Sequence, residues 1–150
     1  LVMLDGIQDP HNLGAIARTA EAAGVHGLII AERRAVGVTP GAMRASAGAL
    51  EHIKVSRVGN LNRTVEKLKE NGLTIVGLDA AGDSEYTQID FTGPALIVVG
   101  SEGKGLSRLM RDNCDHVASI PMTGQISSLN VSVSAAIVLY EAFNQRSKAG

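Results

Sequence analysis

Three short segments of this chain collect side chains that can bind or activate a ligand. The first is Asp9-Pro10-His11-Asn12-Leu13-Gly14, with Arg18 four residues beyond its glycine. A carboxamide and a guanidinium at this spacing can grip an anion or steady a developing negative charge. The second is Gly100-Ser101-Glu102-Gly103-Lys104-Gly105. Its glycines let a backbone approach a small ligand closely, and Glu102 adds a carboxylate. The third runs from Gln125 through Ser127, Ser128, Leu129 and Asn130 to Ser132. Its hydroxyls and amides suit hydrogen bonding to a polar ligand or a nucleotide.

Each segment also has a plainer structural use. The glycine loop is not a P-loop: Val98 stands where that motif needs its first glycine, and Gly105 follows Lys104 where it needs Ser or Thr. Nor does it have the dinucleotide-binding spacing, so a tight turn into a helix is the competing reading. Asn12 reads first as an N-cap, and Ser127 or Ser128 could cap the helix that follows. Arg18 could be a solvated helix arginine, although its neighbours are mostly small or apolar. His11, His26, His52 and His116 are dispersed without metal-ligand spacing. The single cysteine, Cys114, excludes a disulfide scaffold and a cysteine zinc site. No nucleophile elbow or paired-carboxylate arrangement is present.

The elements that must position these segments alternate. Short strands are expected at Leu1–Leu4, Val25–Ala31, Ile53–Val58, Leu73–Leu78, Ala95–Gly100 and His116–Ile120. Helices are expected from about Leu13 to Gly24, over Gly41–Leu50, Asn60–Asn71 and Leu106–Asn113, and over Leu129–Arg146. The clearest is Asn60–Asn71, where Leu61, Val65 and Leu68 share a face between a capping Asn60 and a terminating Gly72. The stretch from Asp79 to Pro94 reads as a polar connection. Alternating strands and helices predict an α/β fold, a mostly parallel sheet covered by helices on both faces. Ligands of such sheets sit beyond the carboxyl ends of the strands, which selects the loops after Leu4, Leu78, Val99 and Ile120.

Composition restricts the function classes. The 150 residues form one domain. Apolar residues make up 45% and charged residues 19%, which excludes a disordered chain. No apolar run is long enough to span a membrane. The 14 Lys and Arg balance 15 Asp and Glu, and aromatics are only 3%. A dedicated nucleic-acid-binding module would carry a stronger basic charge and more stacking rings. The opening residues lack the basic region of a signal peptide, so a cytoplasmic setting is expected. The start directly in an apolar run suggests a domain from a longer protein.

Taken in order and with their spacing, the three segments resemble the three motifs of the SpoU/TrmH family of RNA ribose methyltransferases, in the SPOUT superfamily. The resemblance covers nearly the whole chain. It implies a SPOUT fold with a C-terminal trefoil knot, S-adenosylmethionine as cofactor and a homodimer with its active site at the subunit interface. No metal is implied. Arg18 matches the arginine that activates the ribose 2′-hydroxyl, and Asn12 the asparagine that organises it. Glu102 matches the second motif's glutamate, and Ser128 and Asn130 the third motif's serine and asparagine. Leu78, Gly100, Ile120, Met122, Ser128 and Leu129 are the expected cofactor contacts. The implied substrate is a guanosine ribose in large-subunit ribosomal RNA, with transfer RNA or a non-catalytic knotted RNA-binding module as alternatives. An N-terminal RNA-binding domain, outside these residues, is expected to choose the RNA. A catalytic domain of this kind needs only a local basic surface: Arg18, Arg33, Arg34 and Arg44, then Lys104, Arg108 and Arg111. The small residues Ala135, Ala136 and Ala142 of the last helix are expected to face the partner subunit.

Overall fold

The computed structural model describes residues 1–33 and 37–150, so Arg34 lies outside the described residues. Seven strands, β1 (Val2–Asp5), β2 (Gly27–Ala31), β3 (Lys54–Val58), β4 (Thr74–Leu78), β5 (Ser84–Glu85), β6 (Ala95–Gly100) and β7 (His116–Ser119), form one sheet in the order β3-β2-β1-β6-β4-β7-β5. Every recorded strand pairing is parallel. Among the described residues five α-helices accompany them: α1 (Pro10–Ala22), α2 (Pro40–Ala45), α3 (Leu61–Glu70), α4 (Arg108–Asn113) and α5 (Val131–Ala149).

The central strands β2, β1, β6 and β4 bury both faces, as a parallel sheet between helices must. Successive side chains alternate sides. Val2, Leu4, Leu28, Ile30, Val76, Leu78, Ile97 and Val99 therefore share one core with α1, α2 and α5. Met3, Ile29, Ile75, Leu96 and Val98 share the other with Val65 of α3 and Leu106 and Met110 beside or within α4. The edge strand β3 is the least buried, and its Lys54 and Arg57 discourage further strand addition.

Local chemistry fixes the helix ends. Asp9, not Asn12, caps α1: its carboxylate accepts from the His11 amide, and Pro10 takes the first turn. Asn12 is thereby carried inside the helix and buried. Gly14 lets α1 meet α2, since a Cβ there would lie 2.5 Å from the Ala42 carbonyl oxygen. Asn60 caps α3 as expected, accepting from the Arg63 amide at 3.0 Å. Neither Ser127 nor Ser128 caps α5. Asn130 does, because its carboxamide oxygen reaches the Ser132 amide at 2.9 Å. The Asp79–Pro94 connection holds β5 and a turn of 3-10 helix over Tyr86–Gln88, neither expected from so polar a stretch.

The last helix corrects another expectation for Ala135 and Ala142, whereas Ala136 stays half-buried outside the core. Ala135 is fully buried and Ala142 packs against the core of its own chain. The outward face instead carries Val133, Tyr140 and Phe143, each nearly half exposed. At its far end, Gln145 and Arg146 bind the 89–93 segment: Gln145 accepts from the Phe91 amide and donates to the Ile89 carbonyl, and Arg146 donates to the carbonyls of Phe91 and Gly93. Among the described residues no helix is long and apolar enough to cross a membrane.

Candidate functional site

All carboxyl ends of the parallel strands lie on one edge of the sheet. Neighbours β1 and β6 send their chains to opposite faces, β1 into α1 and β6 toward α4. A crevice at such a switch point is the usual ligand site of an open α/β sheet. Beside that point, over β6, β4 and β7, the edge opens into a cleft of about 640 Å³, within the usual range for small-molecule sites. Its walls come from the ends of β4, β6 and β7, the glycine loop, and the segment leading into α5.

Gly100 and Gly105 shape the glycine loop. A Cβ on Gly100 would lie 2.4 Å from the Gly105 carbonyl carbon and 2.7 Å from the Leu106 nitrogen. The chain therefore folds back on itself directly over the end of β6, closed by the Gly105 amide donating to the Ser101 carbonyl at 2.9 Å. Gly105 has φ +64°, a left-handed conformation that favours glycine.

A polar cluster stands at the cleft. Glu102 Oε1 accepts from Asn12 Nδ2 at 2.7 Å and from Asn130 Nδ2 at 3.3 Å. One carboxylate oxygen thus ties α1 to the glycine loop and to the N-terminus of α5. Asn12 is only 4% exposed, and Glu102 answers the need of its buried amide for an acceptor. Asn130 faces both ways, its nitrogen on Glu102 and its oxygen on Ser132.

Leu78, Gly100, Ile120, Met122, Ser128 and Leu129 all line the cleft, as do Glu102 and Asn130. Met122 and Leu129 are more than a third exposed there. Arg18 does not join them. It lies exposed on α1, outside the cleft walls of its own chain. Arg111, expected on a basic surface, is instead paired with Asp79 at 2.7 Å.

Sequence reasoning passed over Asp79, although it is the first residue after β4 on the ligand edge. Burial pushes its carboxyl up, but the Ala81 and Leu106 amides and the Arg111 guanidinium outweigh this and hold it below its ordinary value. Asp5, at the end of β1, moves the other way, because burial outweighs its hydrogen bonds from Ser107. Cys114 is no nucleophile: burial pushes its thiol up to about 11, and its sulfur donates to the Met110 carbonyl. Among the described residues no cluster of His, Cys, Asp or Glu could hold a metal ion. A smaller hollow of about 280 Å³ opens at the amino ends of β1, β2 and β6, but the guanidinium on its rim, Arg146, is spent on backbone carbonyls.

The similarities to known proteins agree with this geometry. An uncharacterized tRNA/rRNA methyltransferase from Mycobacterium sp. (strain KMS) is 56% identical over 146 residues, 97% of this chain and 46% of the relative. The chain thus spans about half the length of that relative. The SpoU methyltransferase AviRb from Streptomyces viridochromogenes, solved in complex with AdoMet, superposes with a TM-score of 0.90 at 40% identity, over 98% of this chain and 60% of that one. A solved RNA 2′-O ribose methyltransferase superposes with a TM-score of 0.86 at 33% identity, over 97% of this chain and 56% of that one. The model of the SpoU rRNA Methylase family matches residues 1–140, and the chain belongs to that family.

Proposed function

We propose that these residues form the catalytic domain of an S-adenosylmethionine-dependent RNA methyltransferase that modifies a ribose 2′-hydroxyl, on a guanosine of large-subunit ribosomal RNA. The observation that carries this reading is the cleft at the carboxyl ends of β4, β6 and β7, with the Asn12–Glu102–Asn130 cluster at its side. The cofactor fits the residues present. Leu78, Ile120, Met122 and Leu129 offer apolar surface for an adenine and an aliphatic chain. The backbone at Gly100 offers polar groups that no side chain obstructs. When bound, the cofactor supplies an electrophilic sulfonium methyl group.

The protein's own task is to align the hydroxyl and handle its proton. Glu102 is committed to two carboxamides, so its first role is to hold α1, the glycine loop and α5 in register. Ser128 and Asn130 border the same cleft and position substrate and loop. Arg18 offers a guanidinium, a fork of N–H donors with no acceptor. Its service is to stabilise the developing alkoxide or to grip the adjacent phosphate. Its place outside its own cleft favours a composite site, in which Arg18 of the partner subunit completes the centre. The exposed Val133, Tyr140 and Phe143 of α5 supply an apolar face for that homodimer.

In this reading the chain between β6 and α5 is threaded as the family's trefoil knot, no metal takes part, and the enzyme works in the cytoplasm. Arg33, Arg44, Lys104 and Arg108 contribute phosphate contacts, while a separate RNA-binding domain of the full-length protein supplies most of the affinity. The name of the mycobacterial relative covers both tRNA and rRNA, so transfer RNA is the competing substrate. Ribose-methylation mapping of RNA from cells lacking the gene decides between them: loss of one large-subunit guanosine site is expected, and loss of a tRNA site alone overturns the rRNA assignment. Arg18→Ala in the full-length dimer should bind cofactor normally and lose methyl transfer by at least about a hundredfold. Normal turnover would remove Arg18 from the mechanism.

A further inference from the structure

We propose that Asp79 is a positioning residue that anchors the glycine loop to the end of β4, fixing the loop as a wall of the cofactor cleft; this rests on the cofactor reading above. Asp79 borders the cleft, yet its side chain is only 11% exposed. Both carboxylate oxygens are committed to the protein. Oδ1 accepts from the Ala81 amide at 2.9 Å. Oδ2 accepts from the Leu106 amide at 3.2 Å and faces the Arg111 guanidinium at 2.7 Å. It is therefore occupied as an anchor and not free as a general base. Gly105 lies directly against it: a Cβ there would sit 2.5 Å from Oδ2.

The chain on each side of this contact explains its use. Leu106 follows the loop immediately, and Arg111 lies in α4 just beyond. A single carboxylate thus holds the exit of the loop and the helix after it. At the other end, Gly100 is fixed in the sheet by its register with Asp5. Between these points lie Glu102, with its two carboxamide partners, and the Ser101–Gly105 closure. The Asp79 carboxyl is held below its ordinary value, so it stays ionised and its charge-assisted bonds persist at neutral pH. Without them, the loop would have to be ordered when a ligand binds, and that ordering reduces affinity.

The test uses the full-length protein, with S-adenosylmethionine as the probe. Calorimetry gives Kd, and hydrogen exchange follows the amides of residues 101–106. Asp79→Ala should raise Kd about tenfold and Arg111→Ala about threefold, while Arg111→Lys keeps a cation and stays within about twofold. The exchange of Leu106 should accelerate in Asp79→Ala without ligand. Leu50→Ala is the control, a buried truncation in the turn that packs against α1, α2 and β3: it should lower the melting temperature and leave Kd unchanged. A Kd within twofold in both Asp79→Ala and Arg111→Ala overturns the anchor, as does an equal rise in Leu50→Ala. If Asp79→Ala fails to fold, the half-exposed Arg111 variants decide. Failure of the unmodified protein to bind the cofactor overturns the cofactor reading, while exchange at 101–106 still judges the anchor.

Discussion

Substituting Gly100 by alanine tests the cleft wall most directly. The added methyl would lie 2.4 Å from the Gly105 carbonyl carbon, 2.5 Å from its oxygen and 2.7 Å from the Leu106 nitrogen. Carbon atoms rest at about 3.5–4.0 Å, so the loop must retreat by more than about 1 Å. All three neighbours are backbone, and no side chain can swing aside to make room. Overpacking of this kind costs about 1–3 kcal/mol, and at about 2–4 °C per kcal/mol a midpoint value lowers the melting temperature by about 4–8 °C. Two glycines separate steric from conformational causes. Gly103 has φ +77° and nothing within 4 Å, so Gly103→Ala should cost only the left-handed penalty of about 1 kcal/mol. Gly124 is open and has no positive φ, so Gly124→Ala should fall within about 0.5 kcal/mol of the parent. Urea unfolding gives the three stabilities, and calorimetry should show Gly100→Ala binding S-adenosylmethionine at least about tenfold more weakly. If Gly100→Ala matched Gly124→Ala in stability and kept its affinity, the loop would not pack over β6 as described.

Three other outcomes are expected. Glu102→Ala leaves the Asn12 amide buried without its acceptor and should cost about 1–2 kcal/mol, whereas adding Asn12→Ala should cost little more; strict additivity in this double-mutant cycle would deny the coupling. Val133→Glu with Tyr140→Glu should turn the proposed homodimer into monomers in sedimentation and abolish transfer while the circular dichroism stays native; a dimer that survives both changes would remove this face from the proposed interface. Because Cys114 titrates at about 11 when folded against an ordinary 9.0, the folded state favours its neutral thiol, so stability should decline as pH rises from about 9 toward 11. A Cys114→Ser variant should lack that decline, and rapid alkylation of native Cys114 near pH 8 would contradict its burial.

Much of the frame was legible because apolar patterning is a local signal. Ala95–Gly100 is an uninterrupted apolar run and forms β6 over the same residues. Asn60 and Gly72 bracket α3 because caps depend on only a few neighbours. Elsewhere, several residues could fill one role. Asp9, Pro10 and Asn12 all suit a helix start, and proline in the first turn makes Asp9 the cap and leaves Asn12 for the interior. Ser127, Ser128 and Asn130 compete in the same way at α5. The two-residue β5 carries no periodicity, and only its pairing with β7 defines it. Glu102, Asn12 and Asn130 were grouped through the family motifs, but their contact spans 90 residues of sequence between Asn12 and Glu102. No spacing rule reports that distance. The Asp79–Arg111 pair was missed for the same reason, since each residue reads locally as solvated.

Helix α5 carries the cleft cluster at one end and the bonds to residues 89–93 at the other. Its 19 residues form a rod about 28 Å long. Whatever covers Val133, Tyr140 and Phe143 along that rod also restrains the turn that presents Asn130. In the proposed homodimer, pairing of two chains and occupancy of the cleft are then linked by mass action. Dilution that separates the subunits should loosen the grip on the small molecule, and saturating small molecule should hold the subunits together at concentrations where they otherwise part.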